Sequence, residues 1–467
     1  MHTLLTDLAV IRRHTLNEEE HRMRNLHQRF TVPIAFAAIA GLALAGCSSG
    51  SGGGGGGGDA AGPGDFGEAD GIVTITGTIV DTEADLLNES WKAWEEENDI
   101  DIQYEGTKEF EAQIGVQAQG GDAPDLGIFP QPGLMGDLAD RGLIQPAPEG
   151  VATNVADNWS EDWAGYATVN DTLYGAPLMA SVKGFIWYSP KTFEENGWEV
   201  PTTLDELTTL TQTIADSGTK PWCAGFGSDA ATGWPGTDWV EDMVLRQAGA
   251  DVYDQWVANE IPFTDPQIAE AFDAVGAILK NPDYVNAGIG DVASINATPF
   301  GPDIATAVVD GDCPMTHQAS FFDGFLTDAG GEVAPDGDVW AFITPGTEAG
   351  ASAVTGGGEI VAAFSNDEDT VKVQEYLASA DWANSRVSLG GVISANKGLD
   401  PANASSEILT QAITILQDEN TTFRFDGSDL MPGAVGSGTF WAGMIDWING
   451  AETEEVLTSI EAGWPSD

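Results

Sequence analysis

Basic residues, cysteine and histidine are scarce in this 467-residue chain. Only 17 Lys and Arg stand against 74 Asp and Glu, a formal net charge of -57. A surface of that sign repels nucleic acid and excludes it as a partner. The acids are spread along the chain rather than gathered in a tail, which serves solubility; adaptation to a salty medium is a second reading. The 3 Cys and 5 His show no CxxC or HExxH spacing, so neither a metal nor a cofactor is expected. A GxxxxGK[ST] segment is also missing, so any ATP-driven step must be supplied by another protein.

The longest apolar run, Thr31 to Ala45 (TVPIAFAAIAGLALA), falls short of the roughly 20 residues of a membrane span. Arg22, Arg24 and Arg29 precede it, the pattern of a signal peptide. It ends in Leu44-Ala45-Gly46-Cys47, which resembles the lipobox of bacterial lipoproteins. That resemblance implies cleavage before Cys47 and lipidation of Cys47; an ordinary signal peptide with a chance cysteine is the alternative. Glu18, Glu19 and Glu20 are foreign to a positive leader, which makes Met23 the expected start. Residues 1–46 thus read as signal, and 47–70, with glycine unbroken from Gly52 to Gly58, as a flexible tether. Its reach is roughly 25–30 Å.

From Gly71 on, about 400 residues are too many for one simple core and suggest two domains. If Cys47 carries lipid, Cys223 and Cys313 remain as a pair, and outside the cytoplasm a pair favours a disulfide; two buried thiols are the alternative. Gly71 to Val80 is β-branched and predicts a strand. Asp81 to Asp99 predicts a helix, with acids at its start and apolar residues at Ala84, Leu87, Trp91 and Trp94. Ile100 to Tyr104 is a second strand, Glu109 to Gln119 a helix, Leu126 to Phe129 a third strand and Leu134 to Arg141 a short helix. This alternation indicates an α/β fold with a parallel sheet.

The order of these elements, running into GDAPDLGIFPQPG at residues 121–133, resembles the opening of family 1 extracellular solute-binding proteins, the group of maltose-binding proteins. Leu173-Tyr-Gly-Ala-Pro-Leu178 followed by Phe185-Ile-Trp-Tyr-Ser-Pro-Lys191 looks like that family's first crossover. Ala231-Thr-Gly-Trp-Pro-Gly-Thr-Asp-Trp-Val-Glu-Asp242, with Lys220 to Phe226, Val252 to Trp256 and Ile261 to Pro266, is similar to its α-glucoside-binding branch. The resemblance implies a two-lobed periplasmic-binding-protein fold of type II whose discontinuous lobes meet at a hinge. Lobe I would hold 71–178 and 355–391, and lobe II 179–354 and 392–467. Thr355-Gly-Gly-Gly358 and Gly390-Gly391 lie near two of the crossings.

A sugar presents hydroxyl edges, which want charged or amide partners, and C–H faces, which want a flat aromatic ring. Such ligands bind beyond the carboxyl ends of strands and between domains. Glu105 and Thr107 after the second strand, and Phe129 and Gln131 after the third, are therefore candidates. Lys183 is an isolated cation beside an apolar strand, a ligand residue or one half of a hinge salt bridge. Trp234, Asp238 and Trp239 on a Gly- and Pro-containing loop form the strongest set, although Asp238 could instead cap a helix. Gln318 and Phe321 follow the strand Cys313 to His317. Gly357 and Glu359 lie at the glycine run, and Trp441 follows the loop Asp426 to Gly433. His317 and Trp447 read as core.

The implied function is an extracytoplasmic, lipid-anchored, monomeric binding protein of an ABC sugar importer, not an enzyme. It would close on an α-glucoside or related oligosaccharide and deliver it to the permease. A secreted glycoside hydrolase, with two carboxylates about 5–10 Å apart, and a receptor for a peptide or metal are the competing readings.

Overall fold

The β-branched run at Gly71 forms β1 (Ile72–Gly77), and Asp81–Asn98 follows as a helix with Asp81 and Glu83 in its first turn. Asp99 ends that helix in the left-handed region (φ 56), and its N–H donates to the carbonyl of Glu95. Leu87 and Trp91 are buried, and Ala84 and Trp94 pack beside them as the helical period requires. β2 (Asp101–Gly106), the helix Phe110–Gly120, β3 (Leu126–Phe129) and the helix Pro132–Asp140 come next. The structure, a computed structural model, describes residues 69–351, 353–418 and 420–465. The signal, Cys47 and nearly all of the tether lie outside the described residues. Among the described residues no helix is long and apolar enough to cross a membrane.

The chain continues through β4 (Thr168–Val169), β5 (Thr172–Leu173), β6 (Gly175–Pro177), β7 (Ser181–Val182) and β8 (Phe185–Tyr188). After a long helical stretch come β9 (Met315–Gln318), β10 (Trp340–Ile343), β11 (Ala353–Gly357), β12 (Ile360–Ala363) and β13 (Thr422–Phe425). One sheet has the order β2-β1-β3-β12-β6. β1 runs parallel to β2 and β3, as expected, but β12 runs antiparallel to β3 and β6, so the sheet is mixed. A second sheet, β10-β8-β9, is antiparallel, and a third is ordered β13-β11-β7.

The first and third sheets are joined by short links. Leu178–Ala180 connects β6 to β7, and Gly358–Glu359 connects β11 to β12. Ile393 forms an isolated bridge with Ala180. The glycines here permit close approach rather than slack. A Cβ on Gly356 would lie 2.3 Å from the Phe423 ring, and one on Gly358 would lie 2.3 Å from the Met179 carbonyl oxygen.

Cys223 and Cys313 form the expected disulfide, with Cα atoms 5.5 Å apart. Tryptophan goes chiefly to the core. Trp91, Trp187, Trp222, Trp256, Trp382 and Trp447 are among the largest fully buried side chains, so the abundance of this residue is a packing feature before it is a binding one.

Candidate binding site

Asp229–Ala231 is a 3-10 turn, Gly233 takes φ 116, and the helix Trp234–Ala248 begins with Pro235 in its first turn. Gly233 is required twice over: its φ is positive, and a Cβ would lie 2.5 Å from the carbonyl oxygen of Trp441. The helix runs through the interior, with every residue from Pro235 to Arg246 buried. Asp238, Glu241 and Asp242 follow the i, i+3, i+4 pattern that puts side chains on one helix face.

That face meets Lys183, which leads from β7 into β8. Lys183 Nζ lies 2.9 Å from Asp238 Oδ1 and also pairs with Asp426 Oδ2. The ammonium stands over the Trp234 ring, 5.5 Å from its centroid. Asp426 Oδ1 accepts hydrogen bonds from Ser428 Oγ and the Asp429 N–H and so caps the short helix Gly427–Leu430. Glu241 accepts from the N–H groups of Gly427 (2.8 Å) and Ser428 (3.0 Å). Lys183, Asp238, Glu241, Asp426 and Asp429 are all buried.

Burial alone would depress Lys183, but Asp238 and Asp426, backed by Asp429 and Glu241, hold it well above its ordinary value. Burial lifts Asp238 well up against the pull of Lys183, and burial with Asp426 nearby does the same to Glu241. Asp429 is raised by burial and by Asp426. Burial also acts on Asp426, but Lys183 and its hydrogen bonds outweigh it and keep this carboxyl below the usual range. The charge balancing Lys183 therefore resides chiefly on Asp426, and the other three carboxyls favour protonation. One carboxylate oxygen each from Asp238, Glu241 and Asp426 lies within 4.8 Å of the others, an arrangement able to hold a cation; the Lys183 ammonium supplies that charge.

Asp242 belongs to a separate link. It accepts from Arg246 Nε (3.1 Å), His317 Nε2 lies 3.2 Å away, and burial is outweighed by the Arg246 guanidinium together with the His317 contact, which bring it down to about 2.

Of the candidates read from sequence, Lys183, Trp234, Asp238, Phe321 and Gly357 come together. Trp234 and Phe321 are half-buried, with ring centroids 6.2 Å apart, and Phe300 lies 4.7 Å from Trp234. Gly357 faces Lys183, whose Cε would be 3.3 Å from an added Cβ. Asp238 is not a helix cap: it lies inside the helix and pairs with Lys183. Trp239 is buried against Trp222 (5.2 Å) and His317 (4.5 Å), so it belongs to the core. Phe129 is likewise core, packed on Phe110 and Phe364. Glu105 lies within β2, not beyond it, and is exposed.

Gln131 precedes the helix Pro132–Asp140, is buried, and donates from Nε2 to Glu111. Gln318 is buried, its Oε1 accepting from the N–H of Ala319. Trp441 is buried, and its Nε1 has no hydrogen-bond partner among the described residues. Glu359 is partly exposed in the β11–β12 link. Sequence reading missed Glu241, Asp426 and Asp429 as site residues. The available signal was two acid pairs at i, i+3 spacing, Asp238 with Glu241 and Asp426 with Asp429.

Lys108, just past β2, pairs with Asp229 at 3.2 Å, and Asp137 accepts from the N–H of Gly433 at 3.2 Å.

This arrangement of sheets is that of two-domain solute receptors. A solved structure of the bacterial solute receptor AcbH, described as having an exclusive preference for β-D-galactopyranose, superposes with a TM-score of 0.72 at 17% identity, covering 84% of this chain and 98% of that one. Maltose-bound MalE3 of T. maritima gives 0.65 at 14% identity, over 84% and 98%. Residues 81–384 match the family of bacterial extracellular solute-binding proteins. The osmoprotective compounds-binding protein GgtB of Synechocystis sp. is 37% identical over 408 residues, 86% of this chain and 95% of its own length. The alpha-glucosides-binding periplasmic protein AglE of Rhizobium meliloti is 36% identical over 84% and 87%. The chain belongs to the bacterial extracellular solute-binding protein family, whose members are the binding subunits of ABC transporters and not enzymes.

Proposed function

We propose that the Lys183–Asp238–Asp426 cluster, with Trp234 and Phe321 beside it, is the lobe II wall of a cleft that binds an α-glucoside or related oligosaccharide. The observation that carries this reading is a fixed set of hydrogen-bonding charges next to half-buried aromatic rings, the pairing that a pyranose with hydroxyl edges and C–H faces selects. The α-glucosides named for AglE and the osmoprotective compounds named for GgtB support it. A glucosyl-bearing osmoprotectant is favoured within that class by the net charge of -57, which suits a salty medium.

The lobes are 71–178 with 355–391 and 179–354 with 392–467, hinged at the links around Leu178–Ala180, Gly358–Glu359 and Ile393. Sugar bound to one lobe stabilises the closed form because it touches the second lobe only there. The closed form, a monomer held to the membrane by lipid on Cys47, then docks on the permease.

The test is thermal shift with trehalose, sucrose, maltose and their monosaccharides. A ligand at 100 times its Kd adds about 2.7 kcal/mol of stability. Trp234→Ala should abolish the shift. A panel of sugars that leaves the melting temperature unchanged refutes the reading.

A further inference from the structure

The strand that leads into Asp426 also borders a cavity of about 530 Å³ that the Lys183 cluster does not use. Three stretches far apart in sequence line it: the helix Glu161–Tyr166, the helix Ala250–Val257 with the residue after it, and β13 with Leu430. Ser160 accepts from the Trp163 N–H and so starts the first of these helices, whose last residue is Tyr166. Trp163 stacks on Phe423 at 5.5 Å, and Tyr166 packs on Phe425 at 4.6 Å. Tyr166 and Phe423 stay half-buried, so both rings keep open surface. The volume falls in the range of about 300–1,000 Å³ found for small-molecule sites.

The polar side of the cavity is rigid. Arg424 Nε donates to Asp254 Oδ1 at 2.5 Å and Nη2 donates to Asp254 Oδ2 at 2.8 Å, a bidentate pairing that fixes the plane of both groups. Nη1 donates to the carbonyl of Phe423 at 2.9 Å. Each of the three nitrogens thus spends one N–H, which leaves one on Nη1 and one on Nη2, and each Asp254 oxygen keeps a lone pair. The Asp254 side chain is half exposed, and exposed Asp162 adds a second carboxylate to the lining.

We propose that this cavity is a second solute site, which takes a neutral, hydroxyl-rich ring of monosaccharide size. Two neighbouring hydroxyls donate and accept at once, and the Arg424–Asp254 pair offers a donor and an acceptor side by side. The C–H face of the ring has Tyr166 to lie on. An anion would meet a guanidinium already neutralised and the carboxylate of Asp162, in a chain of net charge -57. A cation would find Asp254 paired and Asp162 in water, where its pull is screened. An added peptide strand is disfavoured too. β13 is the outer strand of its sheet, where a new strand would pair. Its carbonyls at Phe423 and Phe425 are already taken, by Arg424 and by the Tyr253 hydroxyl, at 2.9 Å each. The cavity shares no residue with the Lys183, Asp238, Asp426, Trp234 and Phe321 group, so this inference does not depend on the reading given for that group.

A ligand of so few atoms should bind with a Kd on the order of 1 mM. Saturation-transfer NMR with D-glucose tests this on Trp234→Ala, in which the proposed first site is removed. Saturable binding is expected there. Adding Asp254→Ala to that variant should weaken it by about tenfold or more, the loss of a charged hydrogen-bonding partner, and adding Tyr166→Leu should weaken it as well. Asp254 is a surface side chain, so its variant tests the site even where Tyr166→Leu lowers the melting temperature. Tetramethylammonium and inorganic phosphate at the concentration of glucose should not displace it. Glucose binding that is absent from Trp234→Ala, that Asp254→Ala leaves unchanged, or that tetramethylammonium or phosphate displaces overturns the inference. The Lys183 site is tested separately by the sugar panel above and stands or falls on that result.

Discussion

Replacing Lys183 by Met tests the charge cluster most directly. The substitution keeps an apolar stem of similar length and removes one ammonium. Asp238 and Asp426 lose their partner, with Glu241 and Asp429 already crowded behind them. Breaking a buried pair in this way costs about 3–5 kcal/mol. A folded part of about 400 residues has an unfolding entropy near 0.8 kcal/mol per kelvin, so the melting temperature should drop by about 4–6 °C at pH 7. Freed of Lys183, Asp238 would be raised further and Asp426 would climb from its lowered value. A raised carboxyl carries stability that is complete below its unfolded value and lost as pH climbs through its folded one. The gap between variant and wild type should therefore narrow as pH falls from 7 toward 4. Differential scanning calorimetry across that range reads both effects. A gap that is absent at pH 7, or constant with pH, would refute the assignment of Lys183 as counter-ion to the carboxylates.

The disulfide closes a separation of 90 residues, which is worth about 4–5 kcal/mol in the chain-entropy account; Cys223→Ser with Cys313→Ser should lower the melting temperature by about 5–6 °C, and reduction should do the same. Trp239→Ala should cost the apo protein about 3–5 kcal/mol, the value for a large core ring, whereas Trp234→Ala should alter the apo melting point little and remove the sugar response. Raising salt from 0.1 M to 1 M should increase the apo melting temperature, because a net charge of -57 repels itself less when screened; a decrease would mean that surface ion pairs outweigh that repulsion.

The chain order from β1 to the helix Pro132–Asp140 was readable because its elements are locally consistent. A β-branched strand, an amphipathic helix with acids at its start and a G-D-A-P-D turn each act within a few residues. The antiparallel insertion of β12 between β3 and β6 was not readable, since its partners are more than 180 residues away in sequence and its apolar Ile-Val-Ala-Ala pattern fits either direction. Trp239 was misplaced for a similar reason. Pro235 and Gly236 suggested a loop, yet proline is well tolerated in a first helical turn, and the helix carries Trp239 inward. Phe129 ends its strand pointing into the sheet's packed face rather than out of its tip. Asp426 and Asp429 looked like polar loop residues; only the approach of the Trp234–Ala248 helix and Lys183 turns them into buried partners.

The pair between Lys108 and Asp229 stands in solvent, with both side chains about half exposed or more. In molar brine the reach of an exposed charge shrinks to about 3 Å, so this surface pair weakens while the shielded ammonium at Lys183 keeps its grip. A protein working in concentrated salt keeps only the charge contacts that it has shielded from solvent, whereas one in dilute medium can also draw on those at its surface.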